Sequence, residues 1–164
     1  MNRLLDLYIL PFVFKVTPTP LRFKELLVAN RVYEEGMNLE NNIHGFKMRL
    51  GRTYFIFFIL WLLLLIPISA LLHSLLAKMD THVLIILTAL LTGAFFITFS
   101  MFREFLIDRI ALKIIQKSWE RHLAMFDFSE YSKSVATIYG EAVEEEVAIG
   151  DLQRFIFDKL STSK

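Results

Sequence analysis

The chain has 164 residues and carries 18 Lys and Arg against 17 Asp and Glu, a net charge of +1. That balance lacks the basic excess a nucleic-acid partner normally requires, and the absence of cysteine rules out disulfides, thiolate metal sites and cysteine nucleophiles. Hydrophobic residues make up 55% and phenylalanine occurs 16 times, which shifts the composition toward membrane proteins and leaves too little polar chain for a large catalytic domain.

The first apolar run, Leu7 to Phe14, follows Arg3 and resembles a secretory signal on first reading. Asp6 sits at its edge, Pro11 interrupts it, and Thr17-Pro18-Thr19-Pro20 stands where a small-residue cleavage site would be. The run is also too short to span a bilayer. The expectation is a retained segment in the membrane interface, or docked on the spanning helices, with Tyr8, Phe12 and Phe14 in the boundary layer. Its prolines make the TPTP stretch a stiff, extended break.

From Leu21 to Glu35 the pattern predicts an amphipathic helix whose apolar face includes Leu26, Leu27, Val32 and Tyr33, with Gly36 as its stop. The polar stretch Asn38 to Gly45 reads as a loop. Gly36-Met37-Asn38 resembles the tripeptide of CorA-type magnesium channels, which also have two spans. In that family it closes the first transmembrane helix, whereas here it lies well before the first expected span, so it carries no functional expectation.

The centre of the chain is two long apolar stretches. No formal charge occurs from Thr53 to Ala77 or from Val83 to Phe102, and each stretch exceeds the roughly 20 apolar residues that a spanning helix needs. The expected fold is an all-α membrane protein: a two-helix transmembrane hairpin with amphipathic cytoplasmic helices before and after it. The domains are residues 1–52, an interfacial segment and cytoplasmic helix; 53–107, a hairpin with spans of about 53–77 and 83–107; and 108–164, a cytoplasmic helical region. Lys47, Arg49 and Arg52 precede the hairpin and Arg103, Arg109, Lys113 and Lys117 follow it, while its loop offers Lys78 opposed by Asp80. The positive-inside rule then puts both termini in the cytoplasm of an inner-membrane protein.

Within the spans, Ala89 and Gly93 form a small-xxx-small pair flanked by Thr88 and Thr92, a face suited to close helix packing within the hairpin or between copies. No acidic or basic group lies at membrane depth, which argues against proton relays, voltage sensors and ion-coupled transporters. His73 and His82 flank the loop near Asp80. Without a third strong ligand at convincing spacing they read as interfacial residues rather than a metal site.

Beyond the second span the helix is expected to continue through Phe126 with apolar positions Phe105, Ile110, Ile114 and Trp119. Arg109, Lys113, Lys117 and Arg121 fall on a basic side suited to anionic headgroups or an acidic partner. A turn at Asp127 to Glu130, with Ser129 as cap, leads into a helix carrying Val135, Ile138, Tyr139, Ala142 and Val143. Glu141, Glu144, Glu145 and Glu146 read as a solvated acidic face, because His44 and His122 do not complete a Glu-x-x-His metal motif. Gly150-Asp151 starts a last helix burying Leu152, Phe155, Ile156 and Leu160, and the STSK tail is expected to be disordered. No phosphate loop, nucleophile elbow or HExxH occurs, so no cofactor is expected. The functional expectation is a non-enzymatic anchor, scaffold or small subunit, bound to lipid and to a homo-oligomer or partner membrane protein. The alternative is an oligomeric channel-forming or membrane-perturbing effector, an architecture that resembles the two-span effectors of bacterial defence systems.

Overall fold

A computed structural model of the protein describes residues 5–17, 19–40 and 43–162. Arg3, Pro18, Asn41, Asn42 and the last two residues of the STSK tail lie outside them. Helix dominates the described residues, and the sheet among them is one pair of short strands. The fold is therefore all-α in substance.

A π-helical turn, Leu5–Ile9, leads into α1 (Leu10–Val13), strand β1 (Phe14–Val16), α2 (Phe23–Glu34), strand β2 (Phe46–Met48), α3 (Leu50–Leu76), α4 (Thr81–His122), α5 (Phe128–Glu144) and α6 (Leu152–Thr162). Two compact units result, one of Met1–Lys15 with Met48–Leu106, the other of Val16–Lys47 with Ile107–Lys164. Residues 16–47 belong to the second unit, in which α2 packs on α5.

In the first unit, α3 and the first part of α4 are long and apolar enough to cross a membrane. They meet through aromatic rings. Phe57 is buried among Phe95, Phe99 and Phe102 at centroid distances of 5.1, 5.3 and 5.4 Å. Tyr54 stacks on Phe99 at 3.9 Å, and Trp61 meets Phe95 edge-on at 5.7 Å. Spacings of three or four residues put each set on one helix face, and such ring pairs stabilise beyond their area by about 0.5–1.5 kcal/mol each. Pro67 lies inside α3, which continues through it to Leu76.

The second unit has a conventional apolar core of Leu26, Leu27, Ile115, Leu123, Val135, Ile156 and Leu160, each large side chain contributing about 1.5–3 kcal/mol on burial. α4 buries Ile110 and Trp119 as the spacing suggests, but Ile114 is half-buried and Phe105 exposed; Ile107, Ala111, Ile115 and Ser118 complete the buried side instead. On α5, Val143 is exposed, and on α6, Phe155 is half-buried. Asp127, rather than Ser129, caps α5: its Oδ1 accepts from the Ser129 amide at 2.8 Å and from the Ser129 hydroxyl. Asp127 stands just before the first helical residue, and its carboxylate accepts from the amide two residues on, as N-cap geometry demands. α6 runs two residues into the expected tail, with the Thr162 hydroxyl donating to Asp158 O at 2.8 Å.

Candidate functional site

Thr88, Ala89, Thr92 and Gly93 lie exposed on α4, outside the aromatic seam. With Thr81, Leu84 and Ile85, the first three line a shallow, mostly apolar groove, and a Cβ built on Gly93 would meet nothing within 4 Å. The Thr88 hydroxyl donates to Leu84 O and the Thr92 hydroxyl to Thr88 O, each at 2.8 Å. Both hydroxyls are thereby turned onto their own helix, and the face they leave is smooth and weakly polar. The seam that joins α3 to α4 went unread in the sequence, although Tyr54, Phe57 and Trp61 repeat at three and four, as do Phe95, Phe99 and Phe102.

The basic side of α4 is present as spaced: Lys113, Lys117 and Arg121 are exposed and Arg109 is half-buried. His73 and His82 are exposed on different helices. Asp80, between them, accepts from the His82 amide at 2.8 Å and so caps the first turn of α4. Among the described residues, His, Asp and Glu form no group of three with metal-holding geometry.

A second polar region lies between α2 and α5, lined by Arg31, Glu34, Glu35, Lys133, Thr137, Gly140, Glu141 and Glu144. Arg31 pairs with Glu35 at 2.7 Å, and that hydrogen bond raises its pKa above the usual guanidinium range. Lys159 reaches Glu141 at 2.9 Å, which raises the lysine pKa. Burial raises the Tyr139 pKa against the opposing effect of Arg31. Beneath this surface Asn30 is fully buried, its amide donating to Ser132 O at 2.7 Å. Among the described residues its Oδ1 has no hydrogen-bond partner.

The remaining polar contacts are structural clips. Ser118 Oγ accepts from the Leu21 amide at 3.1 Å and donates to Ile114 O at 2.8 Å, while His122 Nε2 lies 2.9 Å from Leu21 O. One turn of α4 thus holds both backbone groups of Leu21 just after the proline break. Trp119 Nε1 donates to Phe126 O at 2.7 Å. No protein-family model, curated protein or solved structure matches the chain.

Proposed function

We propose that the protein is a non-enzymatic integral membrane protein, whose α3 and α4 form a transmembrane hairpin anchoring the second unit as a scaffold or small subunit of a membrane assembly. The observation that carries this reading is exposure. Of the most apolar window in each of α3 and α4, only 6% is buried. A soluble protein buries its most apolar helices, and an open apolar surface of this extent is unfavourable in water. In a bilayer the same surface faces lipid, and the helical backbone satisfies its own polar groups.

The basic flanks Lys47, Arg49, Arg52, Arg103, Arg109, Lys113 and Lys117 support cytoplasmic termini in a bacterial inner membrane, with Lys78 and Asp80 outside. On that side the basic row of α4 suits anionic headgroups, each cation near the surface contributing about 1 kcal/mol. Because the chain has no cysteine, single cysteines report topology cleanly. In intact cells an impermeant maleimide should modify Met79→Cys, and should reach Ser134→Cys only after permeabilisation. Equal labelling of both positions would refute the topology.

A second reading, assembly of copies into a channel-forming or membrane-perturbing ring, draws on the open Thr88, Ala89, Thr92 and Gly93 face. Its inward-turned hydroxyls favour helix packing over lining an aqueous path. Native mass spectrometry in nanodiscs separates the two. A dimer dissociated by Gly93→Leu supports packing on this face, whereas a ring with ion flux would replace the scaffold reading by the channel. A monomer unaffected by Gly93→Leu would end the homo-oligomer and leave a different membrane protein as partner.

A further inference from the structure

At the start of α3 the first unit gathers cations around an exposed apolar segment. Leu7, Tyr8 and Phe12 of the amino-terminal segment are 63%, 65% and 41% exposed. They stand beside a helix whose own apolar side chains Phe55 and Phe58 are open. Arg52 is fixed against this segment: its Nη1 donates to Phe12 O at 3.2 Å, and its guanidinium lies 4.8 Å from the centre of the Phe12 ring. Arg49 joins the same place through its amide, which donates to Val13 O at 2.8 Å. In the ladder that this bond registers, alternation of side chains puts Lys15 and Arg49 on one face. Both side chains are exposed and meet no carboxylate among the described residues.

We infer that Lys15, Arg49 and Arg52 hold the phosphate of an anionic phospholipid while Leu7, Tyr8 and Phe12 enter the acyl boundary beside it. The inference rests on the transmembrane reading of α3 and α4. The occupant follows from chemistry: exposed cations, of which Lys15 and Arg49 meet no carboxylate among the described residues, attract an anion, and exposed aromatic and aliphatic groups next to them favour hydrocarbon. A phospholipid supplies both at one depth, where amphipathic rings settle. Free phosphate would satisfy the cations and leave the apolar groups in water.

The test places the full chain, with Trp61→Phe and Tyr8→Trp, in phosphatidylcholine nanodiscs containing a minor fraction of brominated lipid. Brominated phosphatidylglycerol should quench the fluorophore at position 8 well above brominated phosphatidylcholine at equal content. Each cation removed should lower that preference about fivefold, the equilibrium factor for one surface cation. The variant Lys15→Gln with Arg49→Gln tests this while leaving the Arg52 contacts to Phe12 in place. Inorganic phosphate in the buffer should not displace the lipid. Equal quenching by both lipids, or displacement by phosphate, overturns the lipid site. So does a lack of quenching in protein that has entered the nanodisc, and each of these outcomes leaves the transmembrane reading standing. Failure to enter nanodiscs at all overturns both.

Discussion

Two helices of the second unit end in the same motif with different residues at its critical position. At the end of α2 the Met37 amide reaches Val32 O at 3.0 Å, and Gly36 turns the chain at φ +65°. At the end of α5 the Val147 amide reaches Ala142 O at 3.0 Å, and the turning residue is Glu146 at φ +53°. An L-residue with a side chain loses about 1–2 kcal/mol in this left-handed conformation. Glycine removes that strain but gives back about 0.5–1 kcal/mol in unfolded-chain entropy. Glu146 also places a carboxylate at the negative end of the α5 dipole, worth about 0.3–1 kcal/mol. Glu146→Gly should therefore stabilise the second unit by about 1–2 kcal/mol, and Glu146→Gln by the charge part alone. Gly36→Ala should destabilise by about 1 kcal/mol. Urea unfolding of the full chain in detergent can be followed by Trp119 fluorescence in a Trp61→Phe background. With a slope of about 1–3 kcal/mol/M, each kcal/mol moves the midpoint by about 0.3–1 M. Equal midpoints for Glu146→Gly and Glu146→Gln would refute the conformational argument.

The same titration checks substitutions at three further positions. Gly140 is interior to α5, and a Cβ there would meet the Arg31 guanidinium at 3.8 Å, an ordinary contact; Gly140→Ala should stabilise by about 0.5–1 kcal/mol, and a loss would mean that Arg31 cannot yield. Asn30→Leu removes the orphaned buried Oδ1 along with one hydrogen bond, so it should lie within about 1 kcal/mol of the parent, whereas Asn30→Asp should lose at least several kcal/mol. A large loss in Asn30→Leu would show that Oδ1 has a partner such as water. Ser118→Ala strips the buried Leu21 amide of its acceptor and should lose about 1–3 kcal/mol, with an unchanged midpoint refuting the clip. The Ser129 hydroxyl and amide lower the Asp127 pKa. Asp127 therefore stabilises the fold above the unfolded carboxyl pKa of about 3.9 and loses that contribution as pH falls through its lower folded value. The helical signal of the parent should exceed that of Asp127→Ala at pH 6, and the gap should shrink below about pH 4; a constant gap would refute the charge contribution.

Much of the helical layout was legible because periodicity and length speak loudly in this chain. Leu26, Leu27, Val135, Ile138, Leu152 and Ile156 recur at helical spacing and are buried. The less legible features depend on partners distant in sequence. That α2 packs on α5 is decided by shape and by Asn30 meeting Ser132, which no local pattern announces. The seam between α3 and α4 was hidden for a different reason. In a stretch where nearly every residue is apolar, hydrophobicity cannot mark the contacting face, and small residues drew attention to Thr88, Ala89, Thr92 and Gly93. Ring size did the selecting instead, at Phe57 and its neighbours. The cap at Asp127 was misassigned by two residues because Asp and Ser are both good caps, and only geometry separates them.

The burial of α4 changes along one uninterrupted helix, and that change bears on the functional reading. Its 42 residues extend about 63 Å at 1.5 Å per residue, about twice the hydrocarbon thickness of a bilayer, so a membrane-spanning α4 must leave the bilayer midway. From Thr81 to Arg103 the rise is about 33 Å, which on that reading would bring the first formal charge after the span to the far boundary. Up to that point the helix buries little besides Phe99, and beyond it Leu106, Ile107, Ile110, Ala111, Ile115, Ser118 and Trp119 are buried. Backbone conformation stays helical throughout, so the transition lies in the surroundings that each half of the sequence is built to meet. On the transmembrane reading, the apolar surface before Arg103 faces lipid, and after it charge covers one side of the helix and a packed core the other, as water requires.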